Sequence, residues 1–200
     1  MRIKENINHQ IEISRSRFMC YLFRCFSEDE AKIFISTIKK EHPDANHHCY
    51  AYITNNNMSK KCYDDHEPSQ TAGKPILEVL EKNSLNDICA IVVRYFGGVK
   101  LGTGGLIRAY GKAVSDTIKN SDLVEVKQIN IYQLEFSYDY INKIEYILKD
   151  YEIVEKKYDI SVIYQFLDYD ESLFKKIKDA TNDNCILTFI NSIEKEIVIY

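Results

Sequence analysis

Apolar and polar positions change rhythm several times along the chain. Ile7 to Ile13 and Phe18 to Phe26 each predict a strand. The polar stretch Ser14-Arg-Ser-Arg17 separates the two. Ser27 then offers an N-cap with Glu30 three residues on, the capping-box spacing. Ala31, Phe34, Ile35 and Ile38 follow on one helical face, which fades at His42-Pro43. Cys49 to Ile53 predicts a strand, and Asn55 opens a polar loop expected to run through Ser69. Pro75 suits the first turn of a short helix that buries Ile76, Val79 and Leu80. Ile88 to Val93 is an unbroken β-branched apolar run, as in a strand buried on both faces. Leu106, Ile107, Tyr110, Val114 and Ile118 recur at helical spacing, predicting a helix over about 104–120.

Beyond residue 124 the order is strand (Ile129–Ser137), helix (from Ile141), strand (Tyr151–Tyr158), strand (Ser161–Leu167) and helix (Leu173, Ile177). Strand signals at Ile186–Ile190 and Glu196–Tyr200 close the chain. This β-α-β-β-α-β order is that of a ferredoxin-like sandwich. The expected class is α+β, with domains at 1–124 and 127–200 joined near Ser121–Lys127.

Charge sharpens that division. Residues 1–124 carry 17 Lys/Arg against 15 Asp/Glu, whereas 125–200 carry 9 against 15, within a net charge of −4. The acidic second half is a poor surface for a polyanion. No apolar run approaches membrane-spanning length, and the start lacks a secretory h-region, so a cytoplasmic protein without membrane contact is expected. The six cysteines form no CxxC pair or zinc spacing, and as buried thiols they imply no metal.

All seven glycines fall between 73 and 111, where the candidate chemistry concentrates. His47 and His48 precede a strand, so one of them, His48 being the candidate, would face a cleft or else bond to loop backbone. Asp64, Asp65 and Glu67 lie within four residues, followed by Thr71, Gly73 and Lys74. Such carboxylates suit a divalent cation, a basic partner such as Arg94, or plain solvation. The third stretch is Arg94-Tyr95-Phe96-Gly97-Gly98-Val99-Lys100-Leu101-Gly102-Thr103-Gly104-Gly105-Leu106-Ile107-Arg108. Here a buried strand enters a glycine loop that opens a helix, whose unpaired N–H groups suit an anion, with Lys100 and Thr103 beside them. A tight packing turn is the other reading. Neither a Walker A loop nor a dinucleotide fingerprint fits, so no cofactor is expected. Arg94, Lys100, Arg108 and Lys112, interleaved with Tyr95, Phe96 and Tyr110, would form a patch that grips phosphates and stacks bases. No nucleophile elbow, HExxH or catalytic triad is present.

Ser16-Arg-Phe18, Glu41-His-Pro-Asp-Ala45, His47-His-Cys-Tyr-Ala-Tyr52, the Asp64–Leu77 segment and Arg94–Gly111 together resemble the IMPACT/YigZ family. The family pattern Asp-Asp-Gly-Glu-Pro-Ser-Gly-Thr-Ala-Gly-Lys-Pro meets His66 and Gln70 here at two glycine positions. The resemblance implies an N-terminal α/β domain like the second domain of a small-subunit ribosomal protein, and a C-terminal ferredoxin-like domain like one in elongation factor G. It also implies a role in translation, since eukaryotic relatives regulate it by competing for an activator of a stress-responsive kinase. The expected partner is RNA, the ribosome or a translation-regulatory protein. The rivals are a phosphate- or metal-dependent hydrolase built on the acidic loop, and a regulator that contacts only protein.

Overall fold

The structure, a computed structural model, describes residues 1–55, 57–168 and 172–198. The chain divides into two compact units, Met1–Glu125 with the chain end from Ile197, and Val126–Glu196. Each is a mixed α/β layer structure.

The first unit contains β1 (Arg2–Ile3), β2 (Ile7–Ile13), β3 (Ser16–Arg24), α1 (Glu28–Glu41), β4 (His47–Thr54), β5 (Ser59–Tyr63), α2 (Gly73–Lys82), β6 (Ile88–Tyr95) and α3 (Gly102–Lys119). An antiparallel sheet runs β2-β3-β6-β4-β5, while β1 pairs with Leu123 and Val124 at the start of β7 (Leu123–Phe136). β6 is central, and Ile88 to Arg94 are all buried, because helices cover both sheet faces. Strand parity assigns each residue a side. Phe18, Cys20, Cys49, Ala51, Ala90 and Val92 pack with α2 and α3. Cys89, Ile91, Val93 and Tyr52 pack with Ala31 and Ile38 of α1 on the other side. The capping of α1 is as expected: the Glu30 N–H donates to Ser27 Oγ, and the Phe26 N–H donates back to Glu30 Oε2.

Three element expectations need correction. The polar loop beginning at Asn55 is interrupted by β5, an edge strand paired with β4; residue 56 lies outside the described set. Lys60 and Lys61 are exposed there, so a charged edge has no apolar alternation to reveal it. β7 begins at Leu123 rather than Ile129, and so takes in most of the expected connector. The two closing strand signals belong to one strand, β10 (Cys185–Val198), with residues 199–200 outside the described set.

The second unit continues from β7 through α4 (Ile141–Ile147), β8 (Ile153–Tyr158), β9 (Val162–Asp168) and α5 (Ser172–Thr181) to β10. β10 and β9 flank β7, and β8 pairs with β9, giving the order β10-β7-β9-β8. Leu134, Phe136, Tyr164 and Phe166 meet Ile144, Leu148, Leu173 and Ile177 of the helices in one core. This is the ferredoxin-like arrangement that the element order predicted. No described helix is long and apolar enough to cross a membrane.

Candidate functional site

The site lies on the α3 side of the first sheet. In register on three neighbouring strands stand Phe18, Arg94 and His47. Arg94 is 5% exposed, and its NH1 donates to Glu67 Oε1 at 2.6 Å. The buried Tyr110 hydroxyl of α3 donates to the same oxygen at 2.8 Å. Burial, then Cys49 and Glu67 alongside, raises the phenol's pKa, which keeps it protonated as that donor.

The loop between β5 and α2 is tied down by its own carboxylates. Asp64 accepts from the N–H groups of Gln70, Ala72 and Gly73, so a distant side chain caps α2, whose own N-cap residue Ala72 cannot. Asp65 Oδ2 accepts from the His48 N–H at 2.6 Å, and Lys39 approaches its other oxygen at 3.4 Å. The Thr71 hydroxyl donates to the Pro68 carbonyl. His66 and Gln70, at the two positions where glycine was expected, both have positive φ, 70° and 62°. Gly73 has the Tyr63 backbone 2.6 Å from where a Cβ would be. Lys74 is exposed beside Gln70.

Between β6 and α3 the chain passes close to the β2–β3 turn: a Cβ on Gly97 would lie 2.0 Å from the Arg15 carbonyl group. Gly98 is exposed at φ 84°. Lys100, Gly102, Thr103 and Gly104 are exposed, Gly105 is half-buried, and Arg108 is exposed one turn further along α3. A cavity of about 370 Å³ opens at this helix start. His47, Glu67 and Arg94 line it together with Pro68, Phe96, Leu106 and residues 100–103.

The structure redistributes the expected site residues. His48 does not line the cavity; its Nε2–H donates to the His42 carbonyl on the α1 side, and burial holds its pKa below the ordinary value. His47 lines the cavity instead, its Nδ1–H donating to the Asp65 carbonyl. Strand parity carried that signal, because His47 alternates in phase with Cys49 and Ala51. Arg94 is not an exposed phosphate-gripping cation but the buried partner of Glu67, not of Asp64 or Asp65. Tyr95, one residue on, faces α1 and bonds His42. Tyr110 is core, leaving Phe96 as the exposed ring, with Arg94 Cζ 5.5 Å from its centroid. Lys112 pairs with Asp116 on its own helix. Among the described residues, no group of three His, Cys, Asp or Glu side chains is arranged to hold a metal ion.

Residues 14–118 match the family described as Impact N-terminal domain. The chain belongs to the IMPACT family. Its relatives include IMPACT family member YvyE of Bacillus subtilis, 46% identical over 84% of this chain and 78% of that protein. IMPACT family member YigZ of Escherichia coli is 36% identical over 76% of this chain and 77% of its own. A crystal structure titled only as an hypothetical protein superimposes with a TM-score of 0.60 at 31% identity, covering 94% of this chain and 96% of that one. The IMPACT family match spans β3 through α3 and therefore contains every residue that forms the cavity.

Proposed function

We propose that this IMPACT family chain is a translation-associated binding protein that contacts RNA or the ribosome through the face formed by the 66–74 loop and the 96–108 segment. One observation carries the reading. Each loop carboxylate is occupied inside the fold, Asp64 by backbone N–H groups, Asp65 by His48 and Glu67 by Arg94 and Tyr110. Lys100 lines the cavity, Lys74 lines the neighbouring hollow that also contains Thr103, and Arg108 lies beside Gly104; all three are exposed and form no ion pair with a described residue. Carboxylates locked in this way stabilise a loop, and the exposed charges of the loop and the α3 start are mainly positive, with Glu78 of α2 beside Lys74 as the exposed carboxylate there, a balance that suits a phosphate backbone. The family resemblance implies a role in translation, which supplies the setting.

Capture from lysate with and without nuclease tests the proposal. Ribosomal RNA should accompany the protein and be lost on nuclease treatment. A partner that survives nuclease would make the chain a protein–protein regulator. Metal-dependent turnover of phosphate esters, abolished by changing Asp65 and Glu67, would make it a hydrolase.

A further inference from the structure

We propose that the cavity at the start of α3 seats a single nucleotide unit, with its phosphate on the first turn of α3 beside Lys100 and Thr103 and its base against Phe96. This deepens the RNA-contact reading and borrows from it only the source of the ligand. Four observations carry it. First, the cavity, about 370 Å³, is at the small end of the roughly 300–1,000 Å³ range of ligand pockets, which favours one unit over several. Second, its lining is mixed: Lys100, Gly102 and Thr103 offer a cation, bare backbone and a hydroxyl, while Pro68, Phe96, Leu101 and Leu106 are apolar and Glu67 is held by Arg94 and Tyr110, which suits a molecule with both a charged and a planar apolar part.

Third, the first turn of α3 is open at Gly102 and Gly104, with Leu101 packed against it at Gly105, 3.0 Å from where a Cβ would be. Leu101 supplies no side-chain cap, and no acidic residue lies in that turn. A Cβ on Gly102 would meet nothing within 4 Å, and one on Gly104 only an Arg108 nitrogen at 3.5 Å. Fourth, and independent of the helix, Arg94 lines the same cavity at 5% exposure with its Nε unpartnered, while NH1 goes to Glu67 and NH2 to Ser16. An unmatched buried guanidinium N–H is costly and points to a polar group that completes the site. The same guanidinium lies over the ring of Phe96, which is 45% exposed, and so steadies a surface for stacking.

The full-length chain, ¹⁵N-labelled, is titrated with AMP, adenosine and inorganic phosphate. AMP is expected to shift the amide signals of Gly102 to Gly105, and adenosine and phosphate to bind roughly tenfold or more weakly. Lys100→Ala and Phe96→Ala should each weaken AMP by roughly tenfold, while Lys112→Ala, away from the cavity, should leave it unchanged. Hexa-adenylate separates the sources: tighter binding than AMP through the same residues identifies an RNA strand, and weaker binding identifies a free nucleotide. No shift with AMP, or AMP affinity equal to that of phosphate alone, or indifference to both substitutions, overturns the proposal. If AMP fails while ribosome association persists, the pocket is refuted and the surface reading stands.

Discussion

Arg94 and Glu67 meet with side chains 6% and 4% exposed, so neither charge can fall back on water. Removing one partner from such a pair costs about 3–5 kcal/mol, because the other charge is left buried alone. Glu67→Ala should lower unfolding free energy by about that much in urea, whereas the exposed Lys100→Ala should stay within about 0.5 kcal/mol. The sequence offered Arg94 as one possible partner of the acidic segment, but not which carboxylate would take it. Asp65 turns instead to the His48 N–H, and only three-dimensional register brings Arg94 beneath Glu67. His48 supplies a test in pH. Burial lowers its pKa from the ordinary 6.5, so the folded state binds the proton less readily than the unfolded chain. The stability held above about pH 6.5 should therefore fall as pH drops through the lowered value. Urea midpoints measured from pH 8 to 5 should show that decline, and His48→Gln should flatten it. An unchanged slope in the variant would mean that other groups carry the dependence.

The 64–73 loop shows what periodicity reveals about an element and what it leaves hidden. Residue order gave α2 and its buried side, yet the cap on α2 comes from Asp64, nine positions before Gly73. Left-handed backbone at Gln70 is compatible with a glutamine only at a cost of about 1–2 kcal/mol. Gln70→Gly should thus stabilise the first unit by roughly 0.5–1 kcal/mol once the glycine's greater unfolded-state freedom is counted, read as a higher urea midpoint. Gly97→Ala should do the reverse, since the Arg15 backbone lies within 2.0 Å of the new methyl, while Gly104→Ala should be tolerated. The alternating β2 and the continuous apolar runs of β3 and β6 were readable from side-chain pattern alone. β5 was not, because an edge strand carrying Lys60 and Lys61 has the composition of a loop.

Across the whole molecule, composition marked two regions and the element order fitted the second as ferredoxin-like, but neither could place His47 or the cavity, which form only when β4, β6 and α3 come together. The first unit buries its own core on both faces of its sheet, so residues 1–125 expressed alone should unfold cooperatively, with a sharp urea transition. A broad or absent transition would show that this unit depends on the remainder of the chain. The proposed contact puts a nucleic-acid phosphate backbone on the exposed cations around the α3 start and not on the acidic second half. It is tested most directly by the salt dependence of ribosome or RNA association for the natural protein and the Lys100→Ala/Arg108→Ala variant. Affinity should fall steeply as salt rises, and the double substitution should flatten the slope of log K against log salt by roughly two. Association that ignored salt, or kept its slope in the variant, would contradict the account.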